Sequence, residues 1–260
     1  MRASAATPQT NESIPMNGTI TRELHGRCLE LTIDNQENGN AVSDDMAREL
    51  ADLLGAAADE ADLVVLRGAG ADFCSGRMSM GKRSGTQPQA LDRRRKTEVI
   101  FHCYDAFRAT PLPVIGVVRG RAHGFGCAIA ALCDITLAAS TASFQIPEMA
   151  HNILPTMVMS ALIDRIPARD LAYLVYSTRE IDAAAARTYG LVSEVVPDTG
   201  LDAALDALRT AMLNMPRPAL CGVKEYLRSA PDMSIRGAVD FAQNLHATVN
   251  SSNEMLKQKD

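Results

Sequence analysis

The chain has 260 residues, 47% of them hydrophobic. That is enough for one large domain, or a domain with a helical extension. A formal net charge of −5 gives no general argument for nucleic acid or an anionic membrane as partner, although an acidic ligand responds only to the local field of its pocket. The longest apolar runs, such as Phe125 to Cys133, fall far short of the roughly 18 residues a membrane span needs.

Six cysteines stand at 28, 74, 103, 127, 133 and 221. No pair has CxxC spacing, so they read as reduced thiols of a cytoplasmic protein, each more simply a small buried apolar residue than a ligand. Residues 1–17 are rich in Ala, Ser, Thr, Asn and Pro. They lack the charged and apolar regions of a secretory signal; one arginine and the Ser/Thr content give a weak case for a transit peptide, and a disordered tail is the simpler reading.

Ile20 to Asp34 reads as two short strands around a turn at His25-Gly26, the second alternating apolar and polar residues. Ser43 is placed to cap a helix, with Asp44 and Asp45 in its first turn. Met46, Leu50, Leu53, Leu54 and Ala57 recur at helical spacing, so one face of that helix is buried. Leu63 to Leu66 is a wholly apolar strand. The β-α-β order favours parallel pairing.

Glycines at 68, 70, 76, 81 and 85 mark a long loop. A basic run, Arg93 to Lys96, then leads into a helix ending near Arg108, stopped by Pro111 and Pro113. Val114 to Val118 is a buried strand. Gly120 to Gly126 turns the chain into an apolar helix, Cys127 to Cys133. Asp134 to Ala139 and Phe144 to Ile146 read as strands. From Pro155 the pattern is helical: Ile181 to Tyr189 is a helix closed by Gly190, Leu191 to Val196 a last strand, and Leu201 to Met212 an amphipathic helix. The segment after Pro216 reads as helical to the end. There is no internal repeat. The expected organisation is a tail over 1–17, an α/β core over 18–196 and a helical C-terminal region over 197–260.

Three segments could carry chemistry. In Ala71-Asp-Phe-Cys-Ser-Gly-Arg-Met78, Gly76 permits a backbone conformation that turns the next N–H, that of Arg77, into a cleft; an ordinary surface loop explains the same residues. In Gly120 to Cys127, a strand feeds a glycine-spaced turn and then a helix whose first N–H groups lack internal partners; a tight connection that only permits close packing is the plain alternative. A carbonyl oxygen that gains charge wants two donors at about 3 Å, and the two loops together supply two. Third, Glu148 in Gln145-Ile-Pro-Glu148 has apolar neighbours (Phe144, Ile146, Met149, Ile153). Such a site raises a carboxylate's pKa and suits a proton shuttle, whereas a solvated loop glutamate is the plain reading.

Asn40-Ala-Val42, Leu63 to Gly76, Pro113 to Asp134, Phe144 to Pro155 and Ile181 to Pro197 run in an order that resembles the crotonase (enoyl-CoA hydratase/isomerase) family over roughly residues 18–230. The resemblance implies an α/β fold: a spiral of ββα turns with a C-terminal helical region used in trimer packing, often as a dimer of trimers. It implies an acyl-CoA thioester substrate whose oxygen is held by the N–H groups of Arg77 and Phe125. Ser75, Gly76, Arg77 and Met78, with Ala41 nearby, would line the adenine and pantetheine path, and Gly124 and Phe125 the thioester end. Glu148 falls on one of two glutamates used by the family's hydratases. No cofactor is implied beyond the coenzyme A of the substrate, and no metal, nucleic acid or membrane partner.

The departures from the family pattern carry as much weight. The second hydratase glutamate falls on Ala128, the aspartate usual after the first donor on Met78, a usual small residue on Phe125 and a common glycine on Asn152. One carboxylate serves a double-bond isomerase, or a hydratase with weaker control of the second proton. A non-catalytic acyl-CoA-binding protein of the same fold is the alternative. His123 and His151 could donate to substrate or orient Glu148, or be satisfied structural histidines. Lys82, Arg83 or the Arg93 to Lys96 run could meet the CoA phosphates, though such runs are usually a solvated face. A serine hydrolase is the rival enzyme class, since His123-Gly-Phe-Gly126 resembles an oxyanion motif; no GxSxG accompanies it. Ser79-Met-Gly-Lys82 lacks companion motifs, and Gly68-Ala-Gly70 lacks the third glycine of a dinucleotide loop.

Overall fold

The structure, a computed structural model, describes residues 18–78 and 89–256. The N-terminal tail expected over 1–17, the Ser79–Lys82 segment and Arg83 lie outside the described residues.

The chain opens with β1 (Thr19–His25) and β2 (Cys28–Asp34), an antiparallel pair around Gly26. In β1 only Ile20 is buried, as suits an edge strand whose charged side chains face water. Helix α1 (Asp44–Ala56) starts where Ser43 accepts from the Met46 N–H. It buries Met46, Leu50 and Leu54 and returns the chain to β3 (Leu63–Gly68), parallel to β2. Helix α2 (Ala90–Ala109) leads to β4 (Val114–Val118). Leu63 to Leu66 and all of β4 are buried, as parallel strands covered on both faces must be.

Next come β5 (Arg121–His123), α3 (Phe125–Leu132), β6 (Ile135–Ala139) and β7 (Ser143–Gln145). Helices α4 (Thr156–Leu162) and α5 (Ala168–Ser177) follow, then β8 (Ile181–Asp182), α6 (Ala183–Thr188) and β9 (Glu194–Val196). The chain closes with α7 (Leu201–Leu213), α8 (Arg217–Ser229), α9 (Ile235–Asn250) and α10 (Asn253–Leu256).

The main sheet has the order β1-β2-β3-β4-β6-β9, parallel after the first pair. A second sheet, β5-β7-β8, stands beside it. Two sheets joined by repeated strand-strand-helix turns make the ββα spiral that the resemblance implies. The C-terminal helices are fastened to this body by Lys224 of α8. Its buried ammonium donates to the carbonyls of Phe107 (3.1 Å) and Leu112 (2.7 Å) and to Asp134 Oδ2 (2.8 Å). The same carboxylate oxygen accepts from the Val114 N–H at 2.7 Å.

Four expected boundaries are corrected. The Gly120–Gly126 loop contains β5, and α3 begins at Phe125, not Cys127. Ile181 and Asp182 form β8, so the helix expected over 181–189 shortens to α6, with Asp182 as its cap. The last strand is Glu194–Val196 rather than Leu191–Val196. The strand expected over Phe144–Ile146 is shifted one residue toward the N-terminus, to Ser143–Gln145.

Candidate active site

The first loop is held on both sides by backbone hydrogen bonds. Cys74 donates to the Arg121 carbonyl at 2.9 Å and accepts from His123 at 3.0 Å, which joins it to β5. On the other side, the Val42 N–H donates to the Gly76 carbonyl and the Met78 N–H to the Val42 carbonyl, both at 2.9 Å. In a trans peptide the C=O and N–H point in opposite directions. Because the Gly76 carbonyl faces Val42, the Arg77 N–H faces away from it, toward the β5 side. The Arg77 guanidinium is drawn to α1, where Nε and Nη2 donate to Asp44 Oδ1 at 3.0 and 2.6 Å.

The second loop ends at Gly124, whose φ of 51° and ψ of −114° suit only glycine. Its N–H donates to the Gln145 carbonyl at 2.9 Å, and its carbonyl accepts from Ala128 at 3.0 Å as the first bond of α3. The same peptide-plane argument turns the Phe125 N–H outward from the amino end of α3, where the helix dipole favours negative charge. The two loops meet: a Cβ on Gly124 would stand 4.0 Å from the Gly76 α-carbon, and one on Gly76 3.6 Å from the His123 carbonyl.

Glu148 opens a short 3₁₀ turn (Glu148–His151) after β7, ended by Asn152 at a φ of 54°. A Cβ on Gly124 would stand 3.0 Å from its Oε1, so the carboxylate lies against the second loop. Its Oε2 is sealed from solvent and has no hydrogen-bond partner among the described residues. Burial raises the carboxyl's pKa; its own amide and His151 oppose this more weakly. The structure thus brings Gly76, Arg77, Gly124, Phe125 and Glu148 to one place.

The remaining expected residues take various positions. The Val42–Arg77 bridge sets Ala41 beside the 75–78 segment, and its carbonyl accepts from Asn35 at 2.7 Å. Ser75 donates to the Asn38 carbonyl, and Met78 Sδ receives the Asn35 amide at 3.5 Å. His123 is nearly buried, its Nε2 3.1 Å from Ser143 Oγ and 3.3 Å from Glu180 Oε2, which engages it away from Glu148. Burial lowers its pKa, against an opposing pull from Glu180. His151 is exposed, and Arg93 to Lys96 form an exposed surface near the start of α2. Ala128 is fully buried and apolar. All six cysteines are free, and burial pushes the Cys74 and Cys127 thiols up to about 12. Among the described residues no cluster of three or more His, Cys, Asp or Glu could hold a metal ion, and no helix is long and apolar enough to cross a membrane.

Sequence reasoning missed two residues. Asn40 is fully buried at a φ of 58°. Its Nδ2 donates to the carbonyls of Ala69 (2.7 Å) and Asp72 (2.6 Å), and its Oδ1 accepts from Asn35 (2.9 Å). It therefore ties the first loop to the turn after β2. Tyr104 of α2 stacks on Phe125, ring centroids 5.5 Å apart. The signal for Tyr104 was present: it is the one hydroxyl on the stripe Ile100, Cys103, Tyr104, Phe107 that α2 buries.

The chain resembles known proteins over most of its length. A family model described as enoyl-CoA hydratase/isomerase matches residues 23–258. A Mycobacterium leprae protein, named a probable enoyl-CoA hydratase, is 30% identical over 88% of this chain and 89% of its own length. A mitochondrial enoyl-CoA hydratase domain-containing protein 3 of Rattus norvegicus is 28% identical, covering 88% of this chain and 77% of its own. Among solved structures, a Mycobacterium smegmatis enoyl-CoA hydratase superimposes with a TM-score of 0.85 at 23% identity, over 91% of this chain and 93% of its own. A Thermobifida fusca YX protein, described as an enoyl-CoA hydratase in complex with acetoacetyl-CoA, gives 0.78 at 28% identity, over 88% and 93%.

Proposed function

Because the chain belongs to the enoyl-CoA hydratase/isomerase family, we propose that it binds an acyl-CoA thioester, with the carbonyl oxygen between the N–H groups of Arg77 and Phe125. One observation carries this reading: two outward-facing amides from distant loops lie beside a carboxylate with a sealed oxygen that has no partner among the described residues. A buried acceptor without a partner is rare in a native protein and points to a group that arrives with the ligand.

On this reading Glu148 removes a proton from a carbon conjugated to the thioester. The electron pair moves onto the carbonyl oxygen, where the two amides hold the enolate charge. Burial keeps Glu148 a better base than an ordinary glutamate, because its conjugate acid is weaker. With Ala128 in place of a second carboxylate, the same group returns the proton to another carbon, giving a double-bond isomerase, or activates a single water, giving an unusual hydratase. The coenzyme A comes with the substrate. The C-terminal helices suit assembly as a trimer or a dimer of trimers, and the free thiols suit a cytoplasmic setting.

The test supplies a linear trans-2-enoyl-CoA and a 3-enoyl-CoA to the wild type and to Glu148→Gln, following turnover and exchange of the α-proton in deuterium oxide. Turnover or exchange that vanishes in the variant while CoA-thioester binding persists supports the reading. The apolar Ala128 also favours a second reading, a non-catalytic acyl-CoA-binding protein. That reading gains if the wild type binds thioesters but neither turns over nor exchanges any of a broad panel.

A further inference from the structure

Tyr104 lies against the candidate site with its hydroxyl unused. It is 2% exposed and its ring lies nearly flat on that of Phe125, with 26° between planes. Glu148 is near enough to act electrostatically on its phenol. Among the described residues the hydroxyl makes no hydrogen bond. The oxygen is not among the sealed atoms without a partner, and Tyr104 lines an open cleft, so the hydroxyl is free to bond a ligand there.

An open cleft of about 570 Å³ lies between α2 and α4, and Tyr104 lines it together with Phe101, His102, Asp105, Ser160 and Ile163. The cleft also contains Arg108, but its guanidinium is committed to Asp164 Oδ1 (2.7 Å) and to the carbonyls of Ser160 and Ala161 (3.1 Å each). Among the described residues no free arginine or lysine at the wall therefore waits for a carboxylate-bearing acyl group, and Asp105 repels one. The apolar members accept a carbon chain. A neutral oxygen is what remains for the hydroxyl to bind.

We propose that Tyr104 is the specificity residue of this site: its hydroxyl donates to a neutral keto or hydroxyl oxygen carried on a short acyl group lying in the α2–α4 cleft. This rests on the thioester reading above. Burial, the largest influence, holds the phenol's pKa well above its ordinary value, so it stays a donor throughout the physiological range. Sites built to hydrogen-bond a substrate oxygen discriminate strongly against the analogue that lacks it, because the site's own polar group is then left unpaired.

Calorimetric titration tests this with two pairs of ligands, acetoacetyl-CoA against butyryl-CoA and 5-oxohexanoyl-CoA against hexanoyl-CoA. The wild type is expected to bind at least one oxo ligand about tenfold or more tighter than its parent, the worth of one hydrogen bond at about 1.4 kcal/mol. Tyr104→Phe, which keeps the stack, is expected to abolish that preference while leaving the Kd of the parent within about twofold. Equal binding of each pair by the wild type overturns the proposal, whatever the variant does. So does a preference that survives in Tyr104→Phe. If none of the four ligands binds, the thioester reading itself fails; if the parents bind without discrimination, only the role of Tyr104 falls.

Discussion

Gly126 sits so close to Cys74 that a Cβ at position 126 would stand 2.1 Å from the Cys74 carbonyl oxygen. This contact lets the first turn of α3 press against the segment carrying Arg77, so two loops distant in sequence present their amides together. Gly126→Ala must push them apart, because the obstacle is backbone and has no rotamer to yield. A shift of about 1 Å in such a site is enough to lose about 10²-fold in rate. Activity on the preferred acyl-CoA is expected to fall by at least that factor, with far-UV circular dichroism unchanged.

Asn40 holds the other end of the first loop. Asn40→Asp preserves shape and tolerance of a positive φ but places an oxygen against the carbonyls of Ala69 and Asp72. Two hydrogen bonds become repulsions in a buried site. A loss of about 2–4 kcal/mol is expected from urea unfolding. An effect below about 0.5 kcal/mol would show that the loop is held by other means.

Lys224 is 6% exposed, and its pKa is lowered by burial against the pull of Asp134. Lys224→Met removes the cation while Asp134 keeps only the Val114 N–H as donor on Oδ2. Breaking a buried pair in this way is expected to destabilise by roughly 3–5 kcal/mol. Because the contacts link α8 to the end of α2 and the start of β4, amide exchange in α8 and α9 is expected to accelerate more than exchange in β3.

Glu148 makes stability depend on pH with a definite sign. A carboxyl whose folded pKa is raised binds more protons folded than unfolded, so stability falls as pH rises from the unfolded value through the folded one. Below that window the group is neutral in both states and has no effect. Glu148→Gln is therefore expected to be more stable than the wild type at pH 7 and indistinguishable from it once both states are protonated. Melting temperatures across pH 3–8 check this; a gain that grew toward acid would contradict it. As a base, Glu148 must be ionised, so the acid limb of the wild-type rate profile is expected above the ordinary glutamate range.

The sequence made the regular elements easiest to see where local signals agreed with burial. Ser43 and two aspartates marked the start of α1, and unbroken apolar runs marked β3 and β4. The short β5 was hidden because its partners, Ser143–Gln145 and Cys74, lie far away in the chain and its own residues read as a loop between glycines. The start of α3 was read two residues late because Gly126 is a poor helix former; its place is set by the contact with Cys74. For the site, glycine spacing suggested where Arg77 and Phe125 could offer amides, and apolar neighbours suggested a raised pKa for Glu148. Their convergence came from the resemblance and long-range packing. Asn40 stood in the Asn40-Ala-Val42 segment of the resemblance, but its structural task was not legible there, since that task is defined by the carbonyls of residues 69 and 72.

A crystal structure of the protein with butyryl-CoA bound decides whether the two amides hold the thioester. The thioester oxygen is expected within about 3 Å of both the Arg77 and Phe125 nitrogens, with the α-carbon facing Glu148. A thioester oxygen bound elsewhere, or held by only one of those amides with Glu148 turned from the α-carbon, would contradict that expectation.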